Sequence, residues 1–363
     1  MELSRRDTSM AKGVAIHGMI VLHLFFGVGA DVRSTPLIWV KEGIPLISYI
    51  ALMGDICVPF YCMCTGYALF FQYTAMEGGE FRRRNRTRLL NFLVHFWLVC
   101  LIFTGISLLV GSSEEMPGSF LRFLGHIFLL EHTYNGAWWF ASTYVLFMLL
   151  APLYLKLVKK LDSKILFVVF GLGFCAYYVG HLKWRWAFIS TNFPGYYWKG
   201  FLIRKTTDLW RVSFFYVTGM LLAKERVISR VKSMAERINF TNRRLAVIVS
   251  ITVVILCVIR ISALVHLTAP FLFICFHLWK KSERVERFFL FWGKHSTNIW
   301  LVHMFFYLTL FPDLVFVVKY PVFIYCLMMA LCVMSSWIIE AVCGPVENCV
   351  NKFLKSAGEK SRN

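Results

Sequence analysis

The fold predicted here is all-α: a polytopic transmembrane bundle of about ten helices with both termini in the cytoplasm. Three observations carry it. Hydrophobic residues fill 58% of the 363 positions and charged residues only 16%, too apolar a balance for a globular surface. Apolar stretches recur along the whole chain, many about 20 residues long, which is the length a helix needs to cross a bilayer. The Lys and Arg between them fall in dense and sparse loops by turns, the pattern of the positive-inside rule. The 17% aromatic content and the long apolar runs also exclude disorder.

A polar cytoplasmic segment, 1–12, carries Arg5, Arg6 and Lys12 and leads into the first apolar segment, about Gly13 to Gly29. This segment contains His17 and His23, which the core of a signal peptide avoids, so it is predicted to be retained. The second runs from about Pro45 to Tyr73 and empties into Phe81-Arg82-Arg83-Arg84-Asn85-Arg86-Thr87-Arg88. Further segments follow at about 89–111, 138–155, 164–180 and 207–223. A basic amphipathic stretch, Lys224 to Arg244, suits the membrane surface. Segments at about 245–264, 266–279, 288–311 and 320–343 complete the set. The main transmembrane domain thus spans 13–343, and a basic cytoplasmic tail occupies 344–363.

With the amino terminus in the cytoplasm, 27 of the 39 Lys and Arg lie on cytoplasmic ends and loops. The formal charge of +19 therefore reads as topology, and no nucleic-acid partner is expected. Lipid is the expected surrounding, in a multi-pass arrangement. The loop 183–205 departs from the rule. It is an outer loop holding Lys183, Arg185, Lys199, Arg204 and Lys205 among Trp184, Trp186, Tyr196, Tyr197 and Trp198. It suits stacking on sugar rings and equally an aromatic belt at the interface. The eleven cysteines lie mostly within apolar runs and form no pair of CxxC knuckles, so neither a metal site nor a disulfide framework is expected.

Ionisable side chains inside a bilayer are costly and point to function. Lys12 and His23 are eleven residues apart and share one helix face, with a rise of about 16 Å between them. They line one cleft, or they are a snorkelling lysine and a packed histidine; spacing fits both. His17 points elsewhere and reads as structural. Asp55, about eleven residues into the second segment, reaches a depth similar to His23 if the two helices are antiparallel neighbours. A carboxylate on one ring nitrogen fixes the tautomer and makes the other the better base; the position fits equally a neutral Asp55 or one that binds a different polar group. His303 lies in the ninth segment, packed at the interface or on an acceptor. The spacing of His266 and His277, also eleven, reads as chance. The arginines of 82–88 suit a ligand with several phosphates, through bidentate guanidinium bonds, as well as they suit topology.

Together these residues resemble the acyltransferase 3 family of bacterial integral-membrane acyltransferases. The run from Lys12 through His17 to His23 is similar to the family's opening helix, a basic residue ahead of an essential histidine. Val58-Pro59-Phe60-Tyr61-Cys62-Met63-Cys64-Thr65-Gly66-Tyr67 resembles its aromatic run ending in Ser-Gly-Tyr or Ser-Gly-Phe. Arg83 and Arg86 satisfy its RxxR signature, Trp138-Trp139-Phe140 its Trp-Phe, and Ile299-Trp300-Leu301-Val302-His303 its late run ending in histidine. The resemblance covers roughly 10–310. Lys12 stands where arginine is common, Thr65 for serine, and Asn91 where proline often follows the arginines.

The resemblance implies transfer of an acyl group, most often acetyl from acetyl-CoA, to a hydroxyl of a cell-surface glycan, at a bacterial inner membrane. Acyl-CoA is then a co-substrate, with no permanently bound cofactor. On this reading Lys12, Arg83, Arg86 and Arg88 grip the coenzyme phosphates. His23 acts as base or acyl relay, Asp55 supports it, and Trp139 and His303 meet the acceptor. A carrier for a glycan or lipid-linked saccharide is the alternative, but no internal repeat is visible. A glycan polymerase needs larger outer loops than these.

Overall fold

The computed structural model describes residues 2–26, 33–41, 43–112, 114, 116–183 and 197–360. Helices α1 (Arg5–Phe25), α2 (Leu46–Leu52), α3 (Cys57–Ala75), α4 (Gly78–Leu109) and α5 (Phe120–Ile127) come first. Then follow α6 (Trp139–Lys160), α7 (Ser163–Lys183), α8 (Tyr197–Lys224), α9 (Val227–Arg237) and α10 (Asn242–Ile259). The last are α11 (Ser262–Leu278), α12 (Glu283–Met304), α13 (Pro312–Phe316) and α14 (Pro321–Lys360). A short antiparallel hairpin, β1 (Trp39–Lys41) with β2 (Ile44–Pro45), precedes α2.

Every predicted segment has its helix, and the fold is a polytopic helical bundle. Among the described residues seven helices are long and apolar enough to cross a membrane, and α11 is a shorter apolar one. α8 and α12, which contain the predicted segments 207–223 and 288–311, carry more charge: Arg204, Lys205, Asp208 and Arg211 in one, Glu283 to Lys294 in the other.

Helix ends differ from the apolar boundaries for local reasons. α1 begins at Arg5, inside the segment 1–12, because Ser4 and Asp7 form a capping box: Asp7 N–H donates to Ser4 Oγ and Ser4 N–H to Asp7 Oδ2, at 3.2 and 2.8 Å. α4 begins at Gly78, so the arginine run forms its first turns, where arginine is a good helix former. α14 runs on to Lys360. The second segment is interrupted: a 3₁₀ turn, Met53–Ile56, separates α2 from α3. After Met304, α12 widens into a π-helical turn, Phe305–Thr309.

The described chain divides into two compact units, residues 1–75 with 149–296 and residues 76–148 with 297–363. The first is organised by backbones in near contact. A Cβ on Gly54 would stand 1.9 Å from the Gly18 carbonyl oxygen, so α1 crosses the 3₁₀ turn at two glycines. α3 meets α8 likewise, a Cβ on Gly66 falling 2.1 Å from Tyr216 O. Small residues permit such approach between helices in lipid, where van der Waals packing replaces the hydrophobic effect as the adhesive.

The second unit is tied by polar side chains. Asn91 Nδ2 donates to Asn351 Oδ1 (3.0 Å), joining α4 to α14. One turn on, the His95 ring stands between Glu347 Oε1 (2.5 Å) and Asn298 Oδ1 (2.6 Å), and Asn298 Nδ2 donates to Ser336 Oγ (2.8 Å). Asn135 Nδ2 and Trp138 Nε1 both donate to Leu301 O, at 2.8 and 3.0 Å. Such bonds are worth about 0.6 kcal/mol each in helical membrane proteins, so the set matters more than any one member.

Candidate active site

The glycine crossing sets the first unit's polar centre. α1 carries His23 one and a half turns beyond Gly18, and the 3₁₀ turn carries Asp55 beside Gly54. His23 and the Asp55 carboxylate lie within electrostatic range of each other, and both are partly accessible. Asp55 rides on a 3₁₀ turn where a continuous helix was expected.

The carboxylate has further partners that sequence reasoning missed. Ser262 Oγ, at the start of α11, donates to Asp55 Oδ2. His266 Nε2 stands 3.5 Å from Asp55 Oδ1, with its side chain only 7% exposed. Tyr178 of α7 joins them, its hydroxyl 2.8 Å from Ser262 Oγ and 3.1 Å from His266 Nδ1. Asp55 is therefore one member of a group drawn from the 3₁₀ turn, α7 and α11. Next to it Arg260 takes a left-handed backbone (φ 55°) to end α10, stacks on Tyr49 at 4.1 Å, and donates to Ser48 Oγ at 3.3 Å. His266, whose eleven-residue spacing from His277 was read as chance, itself belongs to this group. Its only sequence signal is a second histidine inside an apolar segment.

Lys12 lies partly accessible on α1, within electrostatic range of Cys64 on α3, and Cys64 Sγ lies 3.6 Å from Thr8 O. The two stretches singled out in the sequence, Lys12–His23 and Val58–Tyr67, are thus packed side by side. Tyr67 closes the contact, accepting from Leu3 N–H (3.1 Å) while its hydroxyl donates to Glu2. Thr65 spends its hydroxyl on Tyr61 O (2.8 Å), within its own helix. His17 packs between Phe288 and Trp292, with ring centroids at 5.2 and 4.8 Å.

The remaining predicted site residues belong to the second unit. Arg83 and Arg86 are exposed on one face of α4's first turns, while Arg88 is partly buried near Tyr144. Between them Asn85 turns inward and donates to Met148 O (2.9 Å). Trp139 is partly buried at the start of α6. His303 is fully buried, its Nδ1 bonded to Trp300 O (2.8 Å) in its own helix. Both stand where the α6 start packs on α12: Trp300 Nε1 donates to Ala137 O (3.2 Å), and Phe140 meets Trp300 edge-on at 5.6 Å. The aromatic loop lies largely outside the described residues; of its five rings only Tyr197 and Trp198 fall on a described helix, as the first residues of α8. No group of three or more metal-ligating side chains occurs among the described residues.

The fold and the ionisable groups it encloses define a polytopic helical membrane protein built around chemistry. Residues 9–341, nearly the whole chain, match the acyltransferase domain of the acyltransferase 3 family, and the chain belongs to that family. It is a membrane acyltransferase. No curated protein and no solved structure matches it.

Proposed function

We propose that this protein moves an acyl group, in the first instance acetyl, from cytoplasmic acyl-CoA to a hydroxyl of an extracytoplasmic glycan at a bacterial inner membrane. The observation that carries the reading is the Gly18–Gly54 crossing, which puts His23 and Asp55 on elements in near contact and within electrostatic range, in a chain that belongs to an acyltransferase family over 9–341. His23 takes the proton of the acceptor hydroxyl as its oxygen attacks the thioester carbonyl. The carbon–sulfur bond breaks and coenzyme A leaves as the thiolate, which takes up a proton. A positioned base contributes roughly 10²–10⁴-fold. Asp55 orients the ring and steadies the imidazolium. Lys12, Arg83, Arg86 and Arg88 are assigned to the phosphates of coenzyme A, and Trp139 and His303 to the acceptor. Coenzyme A is a co-substrate in this scheme, and no resident cofactor is invoked.

Purified protein given radiolabelled acetyl-CoA and surface polysaccharide is expected to release one thiol per acetyl transferred. His23→Ala, inserted and accumulated at the wild-type level, is expected to lose at least about 100-fold in rate. Near-normal transfer by that variant sinks the proposal, and binding of the saccharide with no thiol released would make the protein a carrier. Arg83→Ala and Arg86→Ala are expected to raise KM for acyl-CoA more than for acceptor; equal effects would leave these arginines a topological role only.

A further inference from the structure

The first unit contains two cavities outside the His23–Asp55 group, and they share walls. One, of about 660 Å³, is an apolar crevice between the inner stripe of α10 (Leu245, Ala246, Val249, Val253) and Phe60 and Leu272 opposite. The other, of about 850 Å³, is polar and gathers Lys232, Lys280, Lys281 and His277. Asn242, Leu245 and Trp279 line both. Each volume lies in the range of small-molecule sites, roughly 300–1,000 Å³.

The crevice is set at the level of hydrocarbon. α10 is long and apolar enough to span a membrane, and its outer face, with Val254 and Val258, is exposed. A ligand that reaches behind this helix must itself partition into lipid. At the crevice mouth the lining changes to Asn242 and Arg243, and beyond it comes the polar cavity.

The polar cavity has capacity left for an anion. Of its three acids, Asp7 is engaged in the α1 cap, Glu286 is paired with Arg6 at 2.7 Å, and Glu236 is exposed at the cavity's edge. Lys281 is committed to the protein, its Nζ 3.1 Å from Trp279 O and 4.0 Å above the Phe276 ring, and burial pulls its ammonium down to about 8. Lys232 and Lys280 form no ion pair among the described residues. His277 is 5% exposed, and its Nε2 has no hydrogen-bond partner, a costly arrangement unless a ligand supplies one.

We infer that the two cavities form one bipartite site for a phospholipid of the surrounding bilayer, its phosphate near Lys232, Lys280 and His277 and one acyl chain in the crevice behind α10. The orphan His277 nitrogen favours this occupant, because it stands with Lys232 and Lys280 at the polar end of a hydrocarbon-lined slot. The inference is independent of the acyl-transfer reading and goes beyond it.

The test is native mass spectrometry of the full-length protein, delipidated in mild detergent and then titrated with dioleoyl phosphatidylglycerol. One tightly retained lipid per protein is expected. Ala246→Trp fills the crevice, and the double change Lys232→Glu with Lys280→Glu reverses the cationic end; each is expected to cut retention by roughly fivefold or more. Val258→Trp, on the outer face of α10, serves as the control and is expected to retain lipid normally. The charge-reversal pair lies at accessible positions and keeps the test decisive if Ala246→Trp misfolds. Equal retention by every variant means annular lipid only and overturns the proposal. Displacement by inorganic phosphate alone overturns it as well, since no chain is then needed. Displacement by equimolar palmitoyl-CoA would assign the site to an acyl donor.

Discussion

Asp55 faces the Ser262 hydroxyl, the His266 ring and the field of His23 at once. Asn at this position keeps the shape and loses the charge. Asp55→Asn is expected to lower kcat by ~10- to 100-fold, less than loss of the base itself, with KM for acyl-CoA little changed. A fall in melting temperature with normal turnover per folded molecule would make the residue structural. His126, in the second unit, offers a pH-dependent test away from the membrane spans. Its Nδ1 faces Arg122 O at 2.7 Å, so that nitrogen carries the proton, and Nε2 accepts from Tyr134 N–H at 3.1 Å. Burial holds its pKa below the usual histidine value near 6.5. The folded state therefore prefers the neutral ring. Its contribution is full above about pH 6.5 and is lost as pH falls below that value. Between pH 7.5 and 5 the wild-type melting temperature is expected to drop further than that of His126→Gln.

Where helices meet, glycine decides. Gly54→Ala would place its methyl 1.9 Å from Gly18 O, forcing α1 away from the turn that carries Asp55. Overpacking of this kind costs about 1–3 kcal/mol or more, so the melting temperature should fall by several degrees and activity with it. Gly105→Ala, with no atom within 4 Å of the new Cβ, is the matched control. It is expected to be neutral or to stabilise α4 by up to about 1 kcal/mol. The same comparison shows what was legible. Each of the ten predicted apolar segments coincides with a helix or, for the second, with a pair of helices. The helix starts were not legible, because an apolar window reads the capping box at Ser4 and the arginines of 82–88 as loop, whereas capping and propensity make both helical. The 3₁₀ turn at Met53–Ile56 was hidden for a related reason: it lies inside one continuous apolar segment, where composition does not mark a change of helix type.

For the whole molecule the charge pattern makes a firm statement. With 27 of 39 Lys and Arg assigned to one side, both termini are expected in the cytoplasm. A fluorescent protein fused after Asn363 should fold and fluoresce, while alkaline phosphatase fused there should stay inactive. A fusion after Gly111, in the predicted outer loop, should behave the opposite way. Reversed results at either point would redraw the topology, and the cytoplasmic entry of acyl-CoA with it.

The sequence by itself determined the helical membrane bundle, its segments and the family, because hydrocarbon demands long apolar runs and internally bonded backbone, and both are written along the chain. It also singled out His23 and Asp55, since ionisable groups in such runs are conspicuous. Only the tertiary structure decided that Ser262, His266 and Tyr178 gather round that carboxylate, and that Asn242, Leu245 and Trp279 line both an apolar cavity and a polar one. The carboxylate's partners lie more than a hundred residues from it along the chain, and a hydroxyl or an imidazole takes its role from the neighbour that packing brings to it.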